Sequence, residues 1–243
     1  MQQNYHILIS YDGTDYFGWQ RQPEKKTIQG LLENALAKIA ARPIPVMGAG
    51  RTDAGVHALA QSAHFKANLR LEDKELIQAI NGNLPKDIRI TSLQKATPDF
   101  HARKSARSKT YQYRIVQSPS ISPFLLRYVL HWPTLLDVKK MKEAAALFVR
   151  EADFTPFSSN RLLNPVRTIT RSEVTLNNEE IIYTVEARGF LRYMVRCIVG
   201  TLLEVGKGKI PPQTIEDLFK TKKRTLSNPT APPQGLCLIK VIY

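Results

Sequence analysis

Apolar residues recur with two different periods along this chain. His6-Ile7-Leu8-Ile9 is a short β-prone run that ends at the turn signal Asp12-Gly13. The stretch from Tyr16 to Pro23 is aromatic and polar, the composition of a surface loop. Behind Thr27, a suitable N-cap, Ile28, Leu31, Leu32, Ala35, Leu36 and Ile39 recur at helical spacing, and that helix is expected to end before Pro43. Pro45-Val46-Met47 reads as a short strand, Leu59 to Lys66 as a longer one, Asp73 to Ala79 as a second helix, and Ile88 to Gln94 as a strand.

The second half repeats this rhythm without a residue-level repeat. Thr110 to Val116 is a strand with Tyr111, Tyr113 and Ile115 on one face and Gln112 and Arg114 on the other. Arg127 to Trp132 is another strand, and Asp137 caps a helix carrying Val138, Met141, Ala144, Ala145 and Phe148. Thr168 to Leu176 and Ile181 to Ala187 are strands joined at Asn177-Asn178, a hairpin signal. Leu191 to Leu203 is a strongly apolar helix that Gly206 terminates; Pro211 or Pro212 opens a short helix through Phe219, and Leu236 to Ile242 is the last strand. About two helices and several hairpin-connected strands in each half argue for an α+β fold with largely antiparallel sheets. The division is expected in the basic, apolar-poor segment His101 to Ser108, giving an N-terminal subdomain, 1–103, and a C-terminal subdomain, 104–243.

Charge narrows the class of partner. Lys and Arg number 35 against 21 Asp and Glu, a net charge of +14 over 243 residues, which favours a polyanion, most simply nucleic acid. Cys197 and Cys237, each in an apolar run, offer neither a disulfide framework nor zinc spacing and suit a reducing cytoplasm. Met1 to Ser10 lacks the marks of a signal peptide, and no apolar run approaches a membrane span. A soluble, cytoplasmic protein is expected.

Candidate chemistry concentrates in Gly48-Ala49-Gly50-Arg51-Thr52-Asp53-Ala54-Gly55-Val56-His57-Ala58. Glycine lets backbone approach a ligand that a Cβ would hold off. If Arg51 to Asp53 runs extended, both side chains point to the same face. A guanidinium beside a carboxylate keeps it ionised. Such a carboxylate suits a nucleophile, a base or a sugar-hydroxyl acceptor; the same spacing also suits a Gly-rich turn in which Asp53 caps a backbone amide. Neither the dinucleotide fingerprint nor the Gly-Lys-Ser/Thr phosphate loop is present.

Tyr111 is either a cross-strand core aromatic or a ring that stacks on a base extruded from RNA. Arg196 sits in an otherwise apolar helix, with Arg192 one turn earlier on the same face; a buried arginine wants a partner, whereas a solvated stripe does not. Leu236 is apolar cover for a ligand or plain core. His6, His57, His64, His101 and His131 show no metal spacing, and His57 is expected in a turn or core role. The run Lys220 to Arg224 fits a solvated surface better than a phosphate site.

Five segments in order resemble the TruA family of transfer-RNA pseudouridine synthases. Gly50-Arg51-Thr52-Asp53-Ala54-Gly55-Val56-His57-Ala58 is similar to the catalytic motif. Tyr11-Asp12-Gly13-Thr14 with Gly18-Trp19-Gln20-Arg21-Gln22 is similar to the opening, Lys109-Thr110-Tyr111-Gln112-Tyr113 to the middle motif, Gly189-Phe190-Leu191-Arg192 with Met194-Val195-Arg196 and Val199-Gly200 to the late helix, and Thr230-Ala231-Pro232-Pro233-Gln234-Gly235-Leu236 to the closing motif. The resemblance implies two α/β subdomains whose sheets meet at a central cleft. It also implies a homodimer and pseudouridine formation at positions 38, 39 and 40 of the transfer-RNA anticodon stem-loop, without a cofactor or metal. It makes Asp53 the catalytic carboxylate and Arg196 its ion-pair partner. Tyr111 becomes the stacking ring, Leu236 the cover over the base, and Arg51 a cation for phosphate or for the space the base vacates. A non-catalytic RNA-binding module would explain the charge and the aromatics, but neither a lone Asp in a Gly-rich loop nor an arginine inside an apolar helix. A glycoside hydrolase would want a second opposed carboxylate, for which Asp12 and Asp15 are the candidates.

Overall fold

The computed structural model describes residues 2–159, 164–225 and 228–243. The chain forms two compact units, Met1–Arg107 with Leu238–Tyr243, and Ser108–Cys237. It leaves the first unit in the basic segment and returns to it with its last strand.

In the first unit, β1 (Gln3–Tyr11) alternates so that Tyr5, Ile7, Ile9 and Tyr11 are buried. α1 (Ile28–Ala40) begins at Thr27, whose hydroxyl accepts the Gly30 N–H, and ends at Ala41 in a left-handed conformation. β2 (Met47–Gly48) leads into the Gly-rich loop, and β3 (His57–Ala67) leaves it. α2 (Asp73–Gly82) opens with a capping box between Glu72 and Glu75, and β4 (Ile88–Ala96) follows. β1 lies between β3 and β4, antiparallel to both, and β2 pairs antiparallel with β3. The core is built on Ile7, Ile9, Ile28, Leu32, Leu36 and Phe65.

The stretch from Tyr16 to Pro23 departs from the expected surface loop. Tyr16 and Trp19 are both 2% exposed, while Phe17 stays in solvent. The Trp19 ring lies against Gly48 so closely that a Cβ there would sit 2.6 Å from it. Burying an indole is worth on the order of 4–6 kcal/mol before entropy, enough to override the polar flanks Gln20, Arg21 and Gln22. Tyr16 is anchored by its hydroxyl, which donates to Asp87 Oδ1 at 2.5 Å; burial pushes its phenol pKa well above the ordinary value.

In the second unit, β5 (Ser108–Gln117) buries Tyr111, Tyr113 and Ile115 as the alternation requires. β6 (Leu130–Trp132) is shorter than expected because a turn, with Tyr128 N–H on the Leu125 carbonyl, occupies the residues before it. α3 (Val138–Ala146) is capped by Asp137 through the Lys140 N–H. β7 (Glu151–Asp153) and a short 3-10 turn, Thr155–Phe157, carry no period long enough to read from sequence. β8 (Val166–Asn177) and β9 (Glu180–Ala187) form the expected hairpin, with Asn178 left-handed at its tip. α4 (Met194–Gly206) starts three residues later than the apolar pattern indicates, since Tyr193 is left-handed; Gly206 lies inside its last turn, and Gly208, at φ +71°, follows. α5 (Thr214–Thr221) carries Phe219 into a cluster with Phe148, Phe154 and Phe157, where each ring has neighbours with centroids 5.0–6.1 Å away. The strand order is β5-β9-β8-β7, antiparallel throughout, with β6 parallel beside β5.

β10 (Leu236–Ile242) closes the chain; from Leu238 onward it belongs to the first unit, beside β3. Both units are thus α+β with mostly antiparallel strands. No helix among the described residues is long and apolar enough to cross a membrane.

Candidate active site

The Gly-rich loop between β2 and β3 is held from several sides. The Ala49 N–H donates to the Ser62 carbonyl at 2.7 Å, and Gln61 Nε2 to the Gly50 carbonyl at 3.0 Å. Thr52 is buried; its carbonyl accepts the Trp19 N–H at 3.1 Å, and its hydroxyl lies 2.8 Å from the Tyr11 hydroxyl. The Asp53 carbonyl accepts the Val56 N–H at 3.2 Å, and the Gly55 N–H donates to the Tyr16 carbonyl at 3.3 Å. Gly18 is the pivot of this interlock. At φ +81° it adopts a backbone that L side chains avoid, and a Cβ on it would stand 2.5 Å from the Thr52 carbonyl oxygen.

With Thr52 turned inward, Arg51 is exposed and Asp53 half-buried on either side of it. That alternation is the one an extended Arg51–Asp53 predicts. His57 takes the structural part expected of it: it is buried, and its Nδ1 accepts the Gly13 N–H at 3.0 Å. The same Nδ1 lies 3.2 Å from Asp12 Oδ1.

The second unit holds the other candidates. Tyr111, on β5, is 6% exposed, with its ring edge-to-face to Phe190 at 5.3 Å. Two residues on, Tyr113 is fully buried and its hydroxyl donates to the Pro232 carbonyl at 2.8 Å; burial raises its pKa, and the charge of Arg196 pulls the other way. Arg196 is half-buried on α4 while Arg192, before that helix, is exposed. The closing segment straps across both elements. Its Ala231 N–H donates to the Arg196 carbonyl, the Arg196 Nε donates to the Ala231 carbonyl at 2.7 Å, and the Gly235 carbonyl accepts the Arg114 N–H at 2.9 Å. Gly200 is what lets α4 meet the strap, since a Cβ there would lie 1.9 Å from the Pro229 carbonyl oxygen. Leu236, 4% exposed, ends the strap with its N–H on the Pro233 carbonyl.

The structure therefore brings Tyr113, Arg196 and the strap leading to Leu236 together in one unit, and sets Arg51 and Asp53 on one loop of the other. The basic run is largely tied down locally: Lys222 pairs with Asp153 at 3.2 Å and Arg224 donates to Thr230 Oγ1 at 2.6 Å. Among the described residues, no group of three or more His, Cys, Asp and Glu side chains is arranged to hold a metal ion. Two residues escaped the sequence reading. Trp19 was hidden by polar neighbours. Tyr193, left-handed at φ 61° at roughly 1–2 kcal/mol of strain, has two guanidinium groups over its ring and left no periodic signal.

A family model described as tRNA pseudouridine synthase matches residues 7–103 and 144–243. A protein of Thermodesulfovibrio yellowstonii named tRNA pseudouridine synthase A is 44% identical over 252 residues, covering 99% of each chain. Its namesake from Caldicellulosiruptor bescii is 42% identical over 99% of this chain and 100% of its own. A Clostridium perfringens protein named tRNA pseudouridine synthase A 2 is also 42% identical over the same shares. With a family model spanning both units and relatives matched from end to end, this chain belongs to the tRNA pseudouridine synthase family.

Proposed function

We propose that the protein isomerises uridine to pseudouridine at positions 38, 39 and 40 of the transfer-RNA anticodon stem-loop. The observation that carries this reading is the clamped loop that turns Thr52 inward and leaves Asp53 half-exposed beside an exposed Arg51. In the reaction the N1–C1′ bond breaks, the uracil turns, C5 bonds to C1′, and the C5 proton is lost as N1 regains one. No electrons are exchanged with a cofactor and no group donor is consumed.

Asp53 opens the glycosidic bond, either by attack at C1′ or by taking a sugar proton. Arg196, whose Nε donates to the Ala231 carbonyl, supplies the charge that keeps the catalytic carboxylate ionised. Tyr111 stacks on the freed uracil and helps remove the C5 proton, and Leu236 covers the base. Arg51 fills the helix space that the base leaves or contacts phosphate. Extruding the base costs a few kcal/mol, on the order expected for flipping, and phosphate contacts of a chain at +14 offset it. The working form is a cytoplasmic homodimer in which one RNA touches both subunits.

The test is incubation of an unmodified transfer-RNA transcript with the protein, followed by pseudouridine mapping. Product at the anticodon stem-loop uridines supports the reading. Binding without product would mark a non-catalytic RNA-binding module.

A further inference from the structure

Tyr193 stands where a helix ordinarily starts with a capping side chain in extended backbone. It does neither: its φ and ψ are 61° and 6°, and its side chain makes no cap hydrogen bond to α4. Among the described residues, four other non-glycine positions have positive φ. Ala41 and Lys222 end helices, Asn178 tips a hairpin and Glu24 lies in a loop, all places where a left-handed residue turns the chain. At Tyr193 the same conformation instead fixes where a ring points. The Arg196 guanidinium lies over that ring at 4.9 Å, the Arg192 guanidinium at 5.0 Å, and Arg192 Nη2 reaches the Tyr193 hydroxyl at 3.4 Å. Arg196 is three residues on, in the first turn of α4.

We infer that Tyr193 is a positioning residue, whose ring fixes one face of the Arg196 guanidinium while Ala231 holds its Nε. The inference rests on the proposed role of Arg196. A flexible arginine has four torsions to settle, and two anchors, a ring face and a carbonyl, remove most of that freedom before RNA arrives. The left-handed backbone is the strained element that aims the ring, as outliers at working sites commonly are.

The experiment compares Tyr193→Asn, Tyr193→His and Tyr193→Phe in single-turnover pseudouridine formation, with transfer-RNA affinity and melting alongside. Asn and His both tolerate a left-handed backbone, but only His keeps a ring. The Asn variant should melt at or above the parental temperature and bind transfer RNA within a few-fold, yet react roughly 10- to 100-fold more slowly, the scale on which misplaced groups are felt. His and Phe should restore most of the rate. In an Arg196→Met background the Tyr193→Asn change should have no further effect on rate. An Asn variant that reacts at the parental rate, or an effect that adds in full to Arg196→Met, would overturn the inference. Should Asn fold poorly, a slow Tyr193→His variant with parental melting would overturn it as well. A parental protein that forms no pseudouridine would instead remove the functional reading itself.

Discussion

Arg196 and Ala231 hold each other in both directions, the Ala231 N–H on the Arg196 carbonyl at 3.0 Å and the Arg196 Nε on the Ala231 carbonyl at 2.7 Å. The helix and the closing segment are thereby locked at the residue that carries the proposed cation. Arg196→Met should slow pseudouridine formation by roughly 10²–10³-fold, as loss of a catalytic electrostatic contact does, and lower stability by about 1.5–3 kcal/mol for the lost charged hydrogen bond. Arg192→Met, at an exposed position, should change each only slightly. Single-turnover rates and urea melts of the two variants check this; equal, mild effects would make both arginines surface residues.

The loop that bears Asp53 owes its shape to a residue outside it. Gly18→Ala brings a Cβ to within 2.5 Å of the Thr52 carbonyl in a left-handed backbone. Conformation alone costs roughly 1–2 kcal/mol, and the displaced Thr52 and Asp53 should lower the rate more than a comparable loss of stability elsewhere. A Gly18→Ala variant with parental melting and turnover would show that the loop is not held through this contact.

Much of this arrangement was legible because hydrophobic period and turn chemistry agree. The alternation in β5, the caps Thr27 and Asp137, the Asn178 hairpin and the whole of β10 follow directly from residue order. What escaped depends on contacts remote in sequence. Trp19 is buried because Gly48, far along the chain, leaves room for its ring. α4 starts late because Tyr193 is turned out of helical conformation, which an apolar run beginning at Leu191 conceals. β7 is too short to show a period. The loop that bears Asp53 was recognisable as Gly-rich, but its clamping by the segment from Gly13 to Trp19 is a tertiary fact.

Acid should weaken the first unit before its carboxylates titrate. Burial lowers the pKa of His6, and burial lowers that of His64, with help from the nearby His101 and Lys66. His6 Nε2 lies 2.7 Å from Ser62 Oγ, and His64 Nδ1 accepts the Ala102 N–H at 3.2 Å. A depressed histidine pKa means that the unfolded chain binds the proton first, so stability rises with pH. It is fully present above the unfolded value of about 6.5 and is lost as pH falls toward the folded value. Urea midpoints should drop between pH 7.5 and 5.5, and His64→Gln should flatten that drop.

Transfer-RNA affinity should fall linearly on a log–log plot against salt, because a chain at +14 grips the backbone through counterion release. Filter binding over a range of potassium chloride concentrations reads the slope. A flat response would contradict a phosphate-dominated footprint.

The central claim is that Asp53 performs the chemistry. Asn has nearly the same size, still accepts a hydrogen bond and serves equally well in a turn, so Asp53→Asn removes the charge and leaves the loop. Single-turnover pseudouridine formation on one transfer-RNA transcript should drop by at least ~10³-fold, the scale expected for a central catalytic group, with melting unchanged and RNA affinity within a few-fold. An Asn variant that folds, binds and isomerises uridine at the parental rate would contradict the assignment.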